Sequence, residues 1–563
     1  MYKKFLLALA FMSFLFINVV FAESVHYLRG DWYDEIENYL PREEVTYISF
    51  SNDESYEDES NEKEARVFHI YGISDLRAYV YDDGGVVVYF PEGHTLYLAN
   101  NADKVFAFSK EKEGDDDYET GDDGTLVYGV RSEDEIDDED FGKEYLSKLE
   151  YIENIDLLDA SIAESMSEMF FGCSKLRSID ISSFNTRSLK YVSGMFKMCT
   201  DLTQISLPSF ESDKLNDISF MFAGCENLKE IDLSSMKTAN VSSMENTFSG
   251  CKKLTTLNLG SFNTVNVVNM EEMFSDCESI ETLDLSHFDF TNVHTMTRMF
   301  DGCKSVKNIN FGSSKTSNLA FTDFMFDDCN NLVSVDLSNF DTTHIESVAY
   351  MFANCTKLQQ ININGFDMTN IKNVQRMFYA CESLENIDFS NVKMPNICNE
   401  MFSSMNVKKL TLTNMDTSKV TSMAGMFSLC EKLEELNFGK IDTRNVTNMG
   451  LMFMTCRKLK SIDLSSFKTD NVTDMSFMFT SCNSLEALDI AHFNASKVTN
   501  AHYMIESCYK LKNLDINKSV GRFNEELMLE GVWKNIVNGQ IYDANNAQNK
   551  KMKLTSGLYV RLK

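Results

Sequence analysis

The sequence predicts an α/β solenoid of about 14 rungs, with short parallel strands and helical turns, capped by a small β-rich region at its N-terminal end. Three observations predict it. A cysteine recurs every 26 residues over most of the chain. Columns of Leu, Phe and Met-Phe pairs recur with it. Finally, 563 residues exceed what one compact core organises. Such cores rarely pass about 250–300 residues, so this length demands several domains or a repeat array.

The elements follow in chain order. Lys3 and Lys4 precede an apolar run from Phe5 to Val20, which ends in Val20-Phe21-Ala22. A basic start, an apolar middle and a small-residue site predict a signal peptide over residues 1–22, cleaved after Ala22. The run is shorter than the roughly 20 apolar residues of a membrane span. No cysteine follows it and no Leu-Pro-x-Thr-Gly signal occurs, so the mature protein is expected to be exported, either secreted or at the cell surface.

Residues 23–140 form an acidic region, with 34 Asp/Glu against 9 Lys/Arg. The whole chain carries −33, so most of its charge lies here. Within the region, 67–71, 79–81, 86–90, 96–98 and 105–108 read as strands. Asp83-Gly84-Gly85 is a hairpin signal between the second and third. A small sheet is expected to cover the N-terminal edge of the solenoid. The acid-rich stretches 52–64 and 111–140 read as disordered, solvating loops. Asp115-Asp116-Asp117-Tyr118-Glu119-Thr120 resembles a calcium loop but has Thr120 where the loop needs Gly.

Residues 141–520 are the solenoid. Nine cysteines from Cys173 to Cys381 and four from Cys430 to Cys508 each keep the 26-residue step. Met405 fills the missing rung and Cys398 is out of column. Leu176, Leu202, Leu228 and Leu254 follow three residues on, then triplets such as Ile179-Asp180-Ile181 and Leu283-Asp284-Leu285. Each rung closes on a pair such as Met195-Phe196 or Met478-Phe479. The triplet alternates apolar and polar, which suits a short strand with one buried face. Leu189, Val192, Met195-Phe196 and Cys199 fall at steps of three and four, which predicts a helical turn in that arm. Residues 142–168, with Leu149, Ile152, Ile162 and Met166, read as a degenerate first rung, and 521–563 as a C-terminal cap.

The cysteine column reads first as buried free thiols, next as rung-to-rung disulfides, and last as a metal site. No pair has Cys-x-x-Cys spacing, and Met405 replaces a cysteine as a small buried hydrophobe would allow. No metal or cofactor is expected. The middle residue of each triplet faces outward and forms a polar ladder. Asp180, Asp232, Asp284, Asp336, Asp388, Asp463 and Asp489 are its candidate binding residues, with Asp515 an eighth acid and Thr411 on the irregular rung. The ladder reads either as a solvated face or as a surface for a basic ligand, a glycan or bridging calcium.

The block from Met452-Phe453 to Met478-Phe479, through Leu464-Ser465-Ser466-Phe467-Lys468-Thr469 and Val472-Thr473-Asp474-Met475, resembles the 26-residue repeat of BspA-like leucine-rich-repeat surface proteins of bacteria. The resemblance covers roughly residues 141–563. Trp533-Lys534-Asn535, Gly539-x-x-Tyr542 and Gly557-Leu558-Tyr559-Val560-Arg561 are similar to that family's closing unit. It implies an exported, non-enzymatic protein that attaches to host matrix or cell-surface protein or to neighbouring cells.

Other classes are disfavoured. A net charge of −33 opposes nucleic-acid binding, which needs a basic footprint. No His-Glu-x-x-His, Gly-x-Ser-x-Gly or phosphate loop occurs, and the eight His occupy different repeat columns. The reading is therefore an adhesin-like interaction protein that is not an enzyme, has no membrane span, and binds a host or neighbouring-cell protein or glycan. A self-assembling structural component of the envelope is the alternative.

Overall fold

The computed structural model describes residues 147–516 without a break, 530–545, 556–562, and, nearer the N-terminus, 25–28, 45–51, 66–69, 77–80, 85–89, 95–99, 102 and 105–106. The segment expected as a signal peptide and the acidic stretches 52–64 and 111–140 lie outside the described residues. The chain forms two compact units, Met1–Lys237 with Leu257–Leu259, and Thr238–Thr256 with Gly260–Lys563.

The first unit contains β1 (Val25–Leu28), β2 (Tyr47–Ser51), β3 (Arg66–His69), β4 (Arg77–Val80), β5 (Gly85–Tyr89), β6 (Thr95–Leu98), β7 (Tyr151–Glu153), β8 (Leu158–Asp159), β9 (Ser178–Asp180), β10 (Gln204–Ser206) and β11 (Glu230–Asp232). One sheet has the order β3-β4-β5-β2-β7 and another β1-β6-β8. Antiparallel pairing of Arg77–Val80 with Gly85–Tyr89 places a hairpin where Asp83-Gly84-Gly85 predicts it. Ile48, Phe50, Val86, Val88, Leu96 and Leu98 form the buried core of these strands.

One expectation fails in this unit. Residues 105 and 106, read as strand, form a turn. Phe106 N–H donates to Met169 O at 2.8 Å and Ala102 N–H to Ser165 O at 2.9 Å. The Phe106 ring stacks on Phe170 at 5.4 Å. Ala102, Val105 and Phe106 thus take the places that Met166, Met169 and Phe170 hold one rung on, and the N-terminal region supplies a rung of its own.

The remaining strands are β12 (Thr256–Asn258), β13 (Thr282–Asp284), β14 (Asn308–Asn310), β15 (Ser334–Asp336), β16 (Gln360–Asn362), β17 (Asn386–Asp388), β18 (Lys409–Thr413), β19 (Glu435–Asn437), β20 (Ala487–Ile490), β21 (Asn513–Ile516), β22 (Val532–Asn535), β23 (Ile541–Asp543) and β24 (Gly557–Arg561). Counted along the described chain, β9 to β21 are 13 short rung strands, a parallel-strand solenoid of about 13 turns. Positions 461–463 keep the motif without forming a strand. In β13 and β14, Leu283 opposes Ile309 and Asp284 opposes Asn310, so like positions stack on like.

The arm opposite the strands contains no helix, contrary to the expected helical turns. In the rung ending at Leu332, the N–H groups of Phe324, Phe326 and Asp328 donate to Ala349, Met351 and Ala353 of the next rung at 2.9–3.1 Å. Those between them, Met325, Asp327 and Cys329, close local turns onto residues three back. Phe324 and Asp328 have φ of 56° and 51°. Every rung repeats both left-handed corners, five residues and one residue before its cysteine or Met405. A helix needs right-handed φ throughout, so two such corners per arm exclude it. Spacing explains the preference: packed helices lie about 8–10 Å apart, whereas strands stack at about 4.8 Å. Turns bonded rung to rung fit the strand spacing, and apolar steps of three and four result from either geometry.

The core columns match that spacing. In the second unit, stacked Phe248, Phe274, Phe300, Phe326, Phe352, Phe378, Phe402, Phe427, Phe453 and Phe479 have successive centroids 5.3–5.7 Å apart. Buried threonines join neighbouring rungs as well. Thr443 Oγ1 donates to Lys468 O at 2.9 Å and accepts from Lys468 N–H at 2.7 Å. Thr238, Thr264, Thr316, Thr342, Thr417 and Thr469 repeat the exchange. This is the role of Thr in the Phe-x-Thr motif: one hydroxyl satisfies both backbone groups of the next rung.

The irregular rung is absorbed by β18. It pairs with β17 through Thr411–Thr413 but with β19 through Lys409–Thr411, a slip of two residues. An even slip keeps each side chain on its face. Thr413, not Thr411, therefore opposes Asp388. At the C-terminal end β21 pairs antiparallel with β24, giving the order β20-β21-β24-β22-β23. Trp533, Tyr542 and Tyr559 are buried in that sheet.

Candidate interaction face

The ladder residues are exposed, all within rung strands except Asp463, whose rung keeps the motif without a strand. The first unit carries Asp180 and Asp232, and the second Asp284, Asp336, Asp388, Asp463 and Asp489. Each Oδ1 accepts from the backbone N–H two residues on: Ser182, Ser234, Ser286, Ser338, Ser390, Ser465 and Ala491, at 2.9–3.1 Å. These are Asx turns, and they explain why Asn310, Asn362 and Asn437 share the column, since an amide oxygen makes the same bond. Hydrogen bonds also hold six of these carboxyls below the usual range. The Ser side chain leads for Asp180, Asp284, Asp336 and Asp463, the Ser234 backbone for Asp232, and the Asn414 amide for Asp388.

Flanking columns alternate in sign from rung to rung. Lys307 meets Glu281 at 2.7 Å, Lys460 meets Glu434 at 2.5 Å and Lys512 meets Glu486 at 3.0 Å. Exposed pairs of this kind contribute only about 0–1 kcal/mol each, so they set surface polarity more than stability.

A second acidic group lies on the turn arm of the second unit. Burial, followed by neighbouring carboxylates, pushes Glu271 and Asp301 up to about 7 and Asp327 up to about 6. Folding favours their neutral forms, so the folded chain retains protons that the unfolded chain releases between about pH 4 and pH 7. Stability accordingly falls as pH rises through that window. The ladder aspartates, held low, act in the opposite sense and only below about pH 4. Thermal unfolding is expected at a higher temperature near pH 5 than near pH 8, with a flatter slope in Asp301→Asn/Asp327→Asn. An unchanged slope in that variant would remove these two as its source.

All 14 cysteines are buried free thiols. In column, thiols donate to the Phe carbonyl of the preceding rung: Cys199 to Phe170 at 3.1 Å, Cys303 to Phe274 at 3.1 Å, Cys482 to Phe453 at 3.1 Å. The position therefore takes a small apolar group with one weak donor, which is why Cys recurs there rather than Ala. Burial raises Cys199, Cys277, Cys329, Cys355 and Cys482 well above the ordinary thiol value, and Cys398 and Cys508 to about 12. A thiol reagent is expected to leave the native protein unmodified and to titrate all 14 thiols after denaturation without reductant. A lower count would mean disulfides.

Among the described residues no group of three or more His, Cys, Asp or Glu is placed to hold a metal ion. The His492 and His294 rings meet the carbonyls of Leu464 and Asn318 at 3.0 and 3.3 Å. No described helix is long and apolar enough to cross a membrane.

Comparison with known proteins follows this geometry. The family model described as "Mycoplasma protein of unknown function, DUF285" matches residues 143–255, 216–334 and 396–518, together more than half of the chain. The model "BspA type Leucine rich repeat region (6 copies)" matches residues 293–424. No curated protein matches. A solved leucine-rich repeat protein from Eubacterium ventriosum is 13% identical, over 79% of this chain and 95% of that one, with a TM-score of 0.32. The solved TLR13–ssRNA13 complex is 16% identical, over 66% of this chain and 56% of that one, with a TM-score of 0.18. The chain belongs to the family described as Mycoplasma proteins of unknown function, DUF285, and is a BspA-like leucine-rich-repeat protein.

Proposed function

We propose that this is an exported, non-enzymatic interaction protein, secreted or held at the cell surface, whose solenoid binds macromolecules of a host or of neighbouring cells. Leucine-rich-repeat solenoids typically serve as interaction scaffolds, and neither matching family model describes an enzyme. One observation carries the reading to a face. In the second unit the ladder carboxylates Asp284, Asp336, Asp388, Asp463 and Asp489 stay exposed while one oxygen is fixed by its own turn. Pre-positioned charge in a regular row suits a partner with spaced basic groups, because little side-chain freedom is lost on binding.

The test is capture from a host matrix extract by the wild type and by a variant with these five aspartates changed to Asn, which keeps the turns and removes the charge. Capture is expected to fall about tenfold or more, the equivalent of 1.4 kcal/mol. Undiminished capture by the Asn variant overturns the ladder as the binding face. Antibody labelling of intact cells tests export.

The alternative, self-assembly in the envelope, draws on the C-terminal sheet. Its edge strand β23 carries Ile541 at 58% exposure, near Val537 at 73%. Exposed apolar edges promote association between copies. Mass that grows with concentration in sedimentation, with no ligand present, would favour it.

A further inference from the structure

The left-handed corner five residues before each cysteine is filled, in two runs of successive rungs, by large side chains. Arg298, Phe324, Tyr350 and Arg376 form one run, with φ of 49–56°, and Leu451, Phe477 and Tyr503 the other, with φ of 53–61°. Gly or Asn takes this conformation at least cost, as Gly425 and Asn246 do, whereas bulky residues there are outliers. The first run is organised. The Arg298 guanidinium lies 4.3 Å from the Phe324 ring centroid, and Phe324 stacks on Tyr350 at 4.8 Å with planes 7° apart. Arg376 lies 5.9 Å from the Tyr350 ring and 6.0 Å from that of Tyr379, and its Nη1 donates to the Tyr350 hydroxyl at 2.9 Å. All five residues are half-buried, which leaves an aromatic stripe with a solvent edge. Aromatic residues and Arg are the side chains that dominate binding hot spots.

Charge beside the stripe is unbalanced. The Arg298 guanidinium, whose Nη1 donates to Asp301 at 2.7 Å, also attracts Glu271, Asp323 and Asp327, and Lys304 attracts Asp276 and Asp328. Further carboxylates press on them: Glu245 and Glu272 on Glu271, Asp276 on Asp301, and Asp328 on Asp327. We propose that the arm-face stripe Arg298–Phe324–Tyr350–Arg376–Tyr379 is a docking surface for a lysine- or arginine-rich segment of a partner protein, separate from the ladder. The ring faces are taken up by Arg298, Arg376 and one another, so the aliphatic stems of Lys or Arg pack along the solvent edge of the stripe while the half-buried carboxylates supply charge-assisted hydrogen bonds. A docked cation favours the ionised carboxylates, so binding expels the protons that Glu271, Asp301 and Asp327 hold near neutrality, and affinity rises with pH.

The experiment is calorimetric titration of the full chain with an oligolysine peptide at about pH 5.5 and about pH 8, at low salt. The wild type is expected to bind roughly tenfold more tightly at the higher pH, with proton release visible as a dependence of heat on buffer. Phe324→Leu/Tyr350→Leu, which keeps apolar bulk and removes the aromatic edge, is expected to lose about tenfold at both pH values. Asp301→Asn/Asp327→Asn is expected to lose the pH dependence, and Asp284→Asn/Asp336→Asn on the ladder to retain it. Equal binding by the Leu variant, loss confined to the ladder variant, or tighter binding of oligoglutamate than of oligolysine would each overturn the proposal.

Discussion

Changing Phe352 to Ala is expected to cost about 3–5 kcal/mol, the largest effect of any single truncation considered for this fold. The ring is fully buried and stacks on Phe326 at 5.3 Å and Phe378 at 5.6 Å, with planes within 3° of parallel. Its site cannot collapse, because backbone bonds fix the rungs on both sides: Phe326 N–H to Met351 O and Phe352 N–H to Met377 O, both at 2.9 Å. The cavity therefore persists, and two stacking contacts go with the ring, each worth about 0.5–1.5 kcal/mol beyond its area. Phe352→Leu fills most of the volume and should recover much of the loss. In a repeat array the damage is local, so denaturant unfolding should show an earlier first transition or an added one, not a uniform shift. A midpoint and slope equal to wild type would mean that the column does not bind its rungs together.

The sequence made the columns legible because a period of 26 residues fixes which side chains stack. Cysteine, Leu and Met-Phe positions all proved inward, and the triplet Asp outward. The arm was not legible as turn or helix, since Leu189, Val192, Met195 and Cys199 satisfy both spacings. A discriminating signal was present: Gly172, Gly224, Gly250 and Gly302 each precede a cysteine, where a helix interior has no reason to choose Gly. The rung supplied by Phe106 was hidden by its distance from Phe170 in the chain, although Ala102, Val105 and Phe106 carry the arm's spacing. At the candidate face, exposure could be read from alternation, whereas the turn-forming role rested on Asp and Ser two residues apart, as in Asp180 and Ser182. The 26-residue step already puts Arg298, Phe324, Tyr350 and Arg376 in one column, but that this column is a left-handed corner with a half-buried, outward edge was not legible. The buried threonine exchange was equally hidden, because the backbone groups it satisfies belong to the next rung.

Gly312→Ala should be the most damaging single-methyl change, with an expected cost of about 2–5 kcal/mol. Gly312 has φ of +64°, and an added Cβ would lie 2.5 Å from the Ser286 carbonyl oxygen, 2.8 Å from its Cα and 3.0 Å from its carbonyl carbon. All three are backbone atoms of the preceding rung. That segment cannot step aside, because Leu285 N–H is bonded to Asn310 O at 2.8 Å and Leu283 is paired with Ile309. Gly365 provides the control: its φ is +91°, but nothing lies within 4 Å of the added carbon. Gly365→Ala should therefore show only the conformational cost of a left-handed residue, about 1–2 kcal/mol. Gly439→Ala should match Gly365→Ala, since its nearest neighbour, Leu412 O, stands at an ordinary 3.6 Å. Chemical denaturation of the three variants separates steric from conformational cost. Equal losses in all three would show that the rung carrying Ser286 yields, and that the stack is softer between β13 and β14 than its hydrogen bonds imply.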